Sequence, residues 1–198
     1  LRDVLGHAGL MRMNLGVFVL HAVQLAMWVA VPALLVQAGL PKDAHWQVYL
    51  PAVLASFVLM GGMFALERRG YLKQVFLAAI LLIALVQIGL LLVASGTPRL
   101  MALSGLLFAF FCGFNILEAT QPSMVSRMAP APVRGAAMGV FNTLQSLGFF
   151  VGGWVGGGLV KSWGSQMLFV CCAAAMLLWW LVALPMQPPA RHPGPKAA

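Results

Sequence analysis

The sequence predicts an all-α polytopic membrane protein of six transmembrane helices, on three observations. Of its 198 residues, 62% are hydrophobic and 8% charged, and the mean hydropathy is +0.94. A soluble domain of this size carries about 25% charged residues. Uncharged runs of about 20 residues recur along the chain, the length that crosses a hydrocarbon core of about 30 Å. The connections are short, and AGLPKDAH, ERRGYLK, ASGTPR, APAPVR and SWG carry Gly, Pro or charge between the runs.

Taken in order, the first span runs from about Met13 to Gln37, with Pro32 near its far end. The second covers Trp46 to Leu66 and the third Gln74 to Ala94. The fourth covers Leu100 to Ser126, the fifth Arg134 to Val160 and the sixth Gln166 to Met186. Residues 1–187 thus form one transmembrane domain. The proline-rich tail 188–198 is expected to be a disordered cytoplasmic extension. The chain opens LRDVLGHAGL, without an initiating Met or a signal pattern. That opening is expected of a piece of a longer protein, or of one whose beginning has been removed.

Lys and Arg set the orientation. Arg2, Arg12, Arg68, Arg69, Lys73, Arg127, Arg134, Arg191 and Lys196 fall on one side, against Lys42, Arg99 and Lys161 on the other. Nine against three places both ends, and the second–third and fourth–fifth connections, in the cytoplasm. The net charge of +8 is too dispersed over these connections for a nucleic-acid surface. Cys112, Cys171 and Cys172 lie inside apolar runs and read as small hydrophobes, and no metal-ligand set is expected. No cofactor is expected either.

Polar content sorts the spans. The first carries Asn14, His21 and Gln24, the fourth Asn115, Glu118 and Gln121, and the fifth Asn142 and Gln145. The third has only Gln87, and the sixth has no amide or charge in its body. Spans three apart share a character, as two three-helix repeats of inverted topology would leave behind.

Glu118 carries the strongest functional signal. It stands nine residues before Arg127, about 13 Å along a helix, too deep for a short side chain to reach water. A carboxylate at such depth costs about 2.5–3.5 kcal/mol on insertion scales. It is therefore expected to face protein or a wet cavity, either exchanging a proton or tying helices together as a neutral acid. His21, nine residues after Arg12, reaches a similar depth from the same side. An imidazole and a carboxyl at one level can share or pass a proton. Asn14, His21 and Gln24 share a helical stripe, and Asn115, Glu118 and Gln121 form a slowly drifting one ending at Pro122, which removes a backbone donor and bends the helix. The fifth span adds the amides Asn142 and Gln145, then LGFFVGGWVGGGL with Gly148, Gly152 and Gly156 four apart. Small residues at that spacing let helix backbones approach closely. A phosphate loop is excluded because the glycines lie within a helix.

An enzyme is not expected. The nearest approach to a protease Gly-x-Ser-Gly is Ala102-Leu103-Ser104-Gly105, and no later span holds a His. No span holds a pair of carboxylates.

The stretches LGVFVLHAVQLAMWVAVP, HWQVYLPAVL, LKQVF and FFCGFNILEATQPSMVSRMAPAPVRGAAMGVFNTLQSLGFFVGG carry a family likeness over nearly the whole chain. The sequence resembles the C-terminal half, helices seven to twelve, of a major facilitator superfamily transporter, in the YajR-like branch of drug:proton antiporters. The resemblance implies that the first and fourth spans line a central cavity, placing His21, Gln24, Asn115 and Glu118 there. The second and fifth would meet the other half, and the third and sixth lie outside. It also implies lipid, protons, a small-molecule substrate and a missing N-terminal six-helix half as partners, in the inner membrane. The loop ERRGYLK is a degenerate copy of the family's Gly-x-x-x-Asp-Arg-x-Gly-Arg-Lys motif. It keeps Arg68 and Gly70, with Glu67 for Asp, Tyr71 for Arg and Met63 for the first Gly, and Lys73 follows one residue beyond the motif's Lys position. The expected function is proton-coupled efflux of amphipathic organic solutes by alternating access. The alternative is a non-transporting module, or a half that assembles with a separate partner.

Overall fold

A computed structural model describes residues 6–186, and of Met63, Phe64, Glu67 and Arg68 the backbone alone. The expected tail 188–198 lies outside the described residues. The described elements are helical throughout: α1 Ala8–Gln37, α2 Trp46–Leu66, α3 Leu72–Ser95, α4 Leu100–Met128 and α5 Arg134–Ala183, joined by short turns. All five are long and apolar enough to cross a membrane.

α1 begins five residues before the expected Met13, because the His7 side chain accepts a hydrogen bond from the Leu10 N–H at 3.3 Å and caps an earlier turn. It ends as the chain turns left-handed at Gly39 (φ 91). There Leu40 N–H donates to Leu35 O and Gly39 N–H to Val36 O, both at 3.0 Å. This pairing satisfies two carbonyls that the helix end would leave bare. α2 occupies the expected Trp46–Leu66, while α3 starts two residues earlier and ends one later than expected, and α4 ends two later. Between α2 and α3 the turn Glu67–Tyr71 passes through Gly70 at φ 103. A residue bearing a Cβ rarely adopts that conformation.

The largest departure is α5. Two separate helices with a Val160–Gln166 connection were expected. The helix instead continues through Lys161 and Trp163 and breaks at Gly164 alone (φ 81, ψ 174), a region that is essentially glycine's own. The break turns the chain back on itself. Gly148, on the first arm, packs against Phe18 of α1, and Trp179, on the second, packs against Gly16 of the same helix. The chain thus travels out from the level of α1's first turns and returns to it. One residue of turn suffices.

α1 is the hub, lying along both arms of α5 and meeting α4. α3 packs between α4 and the second arm, and α2 lies chiefly against α4. Fully buried Phe76, Phe110, Phe169 and Trp179 fill the interior, with Phe76 and Trp179 edge to face at 6.0 Å. α2 leaves Leu50, Leu54, Phe57 and Val58 exposed, and the first arm of α5 leaves Phe150 and Trp154 exposed. Such apolar surface is ordinary where lipid or a further protein layer is the solvent.

Candidate functional site

α1, α4 and the first arm of α5 bring one residue each to a single point. On α1, His21 Nδ1 lies 2.8 Å from the carbonyl oxygen of Val17, one turn back. A carbonyl only accepts, so Nδ1 carries a proton, and in the neutral ring Nε2 presents its lone pair. The edges of Phe114 and Phe149 hold the ring at centroid distances of 5.7 and 4.7 Å, and His21 is 1% exposed.

From α4, Glu118 Oε2 reaches to 3.0 Å from His21 Nε2. Its side chain is 41% exposed, so the acid joins a buried imidazole to an open face of the bundle. From α5, Gln145 Nε2 donates to Glu118 Oε1 at 3.1 Å and lies 2.8 Å from His21 Nε2. The three side chains close a triangle.

The triangle needs α1 and α5 close together, and glycine permits it. A Cβ on Gly148 would meet the carbonyl of Phe18, one on Gly152 the carbonyl of Ala22, and one on Gly156 the Cα of Ala26 at 2.9 Å. Three glycines four apart thus ride on three α1 residues four apart, as helix periodicity requires. Gln145 stands one turn before this seam.

The other candidates separate. Asn115 Nδ2 turns toward α2 and donates to Ser56 Oγ at 2.7 Å, and Ser56 in turn donates to Val53 O at 2.6 Å. Gln121 is 1% exposed, and neither amide atom has a hydrogen-bond partner among the described residues. Three residues along α4 amount to about 300° of rotation, which carries Gln121 off the face of Glu118 and into the packed interior. Asn14 is also buried. Its Nδ2 has only the sulfur of Met11 at 4.0 Å, and its Oδ1 has no partner among the described residues. Gln24 is half-buried, with its Oε1 buried and without a hydrogen-bond partner among the described residues, and Asn142 is exposed. In the α2–α3 turn, Gly70 provides the left-handed residue and Lys73 is half-buried, while the side chains of Glu67 and Arg68 lie outside the described residues.

Sequence reasoning did not single out Ser56, Phe114 or Phe149. A hydroxyl in the middle of an apolar span was the available signal for Ser56. Nothing in the local pattern distinguishes the two phenylalanines from core.

This architecture and these side chains define a multi-pass membrane protein. Residues 13–198 match the Major Facilitator Superfamily, and the chain belongs to that family. It is 34% identical over 187 residues to the inner membrane transport protein YajR of Escherichia coli K12, covering 94% of this chain and 40% of the relative. It is also 34% identical over 142 residues to an uncharacterized transporter of Buchnera aphidicola, covering 71% of this chain and 36% of the relative. The chain thus spans about two fifths of the length of the curated relatives it matches.

Proposed function

We propose that this chain is the C-terminal half of a proton-coupled secondary transporter of the inner membrane that exports small amphipathic organic solutes by alternating access. Counted as two arms, α5 brings the crossings to six. Both ends are then cytoplasmic, as the Lys and Arg bias requires. In this reading α1, α2 and α3 repeat as α4 and the two arms of α5 with inverted topology. A second six-helix half supplies the opposite wall of the cavity.

The observation that carries the proposal is the 3.0 Å approach of His21 Nε2 to Glu118 Oε2, with the imidazole buried and the acid open to the exposed face. Two groups that each bind a proton, this close, are stabilised by holding one proton between them. With none, a lone pair faces a carboxylate oxygen and the pair is destabilised. Proton loading and release at Glu118 therefore change the local free energy of the contact between α1 and α4, which is what a proton-coupled helix movement needs. Asn142 lies at accessible surface and suits polar contact with a solute, while Asn14, Gln121 and the side-chain oxygen of Gln24 belong to the interior.

The test is Glu118→Gln in the full-length protein, reconstituted in proteoliposomes with an imposed proton gradient. Gradient-driven transport is expected to be lost while counterflow exchange of substrate persists. Retention of gradient-driven transport at the parent's rate removes Glu118 from the mechanism.

A further inference from the structure

Gln145 has two neighbours and His21 Nε2 has one lone pair, and the two facts conflict. Nδ1 of the ring is committed to Val17 O as a donor, so in the neutral ring Nε2 is a pure acceptor in the ring plane. Two groups approach it: the Gln145 amide nitrogen at 2.8 Å and Glu118 Oε2 at 3.0 Å. Only one can occupy the lone pair. When a proton bridges Glu118 and His21, Nε2 is taken, and Gln145 keeps only its bond to Glu118 Oε1. When that proton leaves, both acceptors are bare, and the two N–H bonds of one amide fit them, one to Oε1 and one to Nε2.

We infer that Gln145 is a positioning residue that senses the proton of the His21–Glu118 pair, its amide competing with that proton for His21 Nε2 and passing the outcome to α5. The inference rests on the proton-coupled reading above and assigns Gln145 a task distinct from lining a solute cavity. α5 is suited to receive the signal because its glycine seam begins one turn beyond Gln145, with backbone against the backbone of α1 at Phe18 and Ala22. An interface packed that closely has few intermediate arrangements. Of the titratable or charged groups facing the amide among the described residues, α1 contributes His21 and α4 contributes Glu118. The first arm of α5 adds Phe149 beside the ring. No third charge is required.

An amide that donates to both empty acceptors uses both of its N–H bonds, so removing them leaves His21 Nε2 with no donor once the proton has gone. Gln145→Met keeps length and bulk and removes both donors, as does the shorter Gln145→Leu. The experiment is ¹⁵N NMR of the His21 ring nitrogens of the full-length protein in lipid nanodiscs, recorded at high pH with the bridging proton removed, with assignment by the signals that His21→Asn removes. The Nε2 resonance of the parent is expected at the upfield position of a ring nitrogen that accepts an N–H, and it should move downfield in Gln145→Met. Coincident Nε2 resonances in parent and Gln145→Met, with the fold retained by thermal unfolding, would overturn the inference, as would upfield movement. If Gln145→Met does not fold, Gln145→Leu decides by the same criteria. Failure here is separable from failure of the transport reading, which is scored by gradient-driven flux in Glu118→Gln.

Discussion

The carbonyl oxygen of Ala22 occupies the space that a side chain on Gly152 would need. Backbone therefore lies against backbone at the centre of the α1–α5 seam, and no rotamer change can relieve an added methyl group. Gly152→Ala is expected to destabilise the fold by about 1–3 kcal/mol, read as a lower midpoint in thermal unfolding. Gly157→Ala, where nothing lies within 4 Å of the added carbon, is the control and should leave the midpoint unchanged or slightly raised.

His21→Phe removes both ring nitrogens while keeping an aromatic among Phe114 and Phe149. Glu118 is left with Gln145 alone, and the proton has no second group to bridge to. Gradient-driven transport by the full-length protein should fall by at least about tenfold. Cell-surface abundance and thermal stability should be nearly unchanged, so the flux and stability assays together identify the lost function.

The Asn115–Ser56 bond ties α4 to α2 without involving the triangle. A double-mutant cycle with Asn115→Leu and Ser56→Ala isolates it. Hydrogen bonds between membrane helices average about 0.6 kcal/mol, and at 2.7 Å this one should reach about 1 kcal/mol in unfolding from detergent micelles. The His21 Nε2 resonance should not move in either single variant.

Gly164 sits at φ 81, ψ 174, where a Cβ is strongly disfavoured. Gly164→Ala is expected to cost about 1–3 kcal/mol, a larger loss than Gly158→Ala, whose added carbon meets nothing within 4 Å. Thermal unfolding of the two variants gives the comparison.

The spans themselves were legible because apolar length is a bulk signal: α2 was located to the residue, and α3 and α4 to within two. The turn at Gly164 was not legible as it stands, since SWG reads as a loop while the physical break needs one glycine. His21 and Glu118 could be matched in depth because each lies nine residues from an arginine marking the same side. Their joining through Gln145 could not be, because it depends on how closely α5 approaches α1. Asn14 and Gln121 show the opposite limit. Each lay on a stripe with a true member of the triangle, and a modest rotation around the helix was enough to turn it into the core. The glycine spacing foretold a tight seam but not its partner, which is fixed by tertiary contact with Phe18, Ala22 and Ala26.

The single-residue hinge in α5 also bears on biogenesis. In the six-span reading proposed above, an outgoing arm joined so tightly to its return cannot settle across the lipid while the following segment waits in water, for the tether has no slack. On that reading the two arms partition as one preformed helical hairpin, with Lys161 and Trp163 travelling at its tip. Lengthening the hinge with a Gly/Ser insert would uncouple the two insertion events, and glycosylation acceptor sites placed in the insert would record the order in which the arms enter.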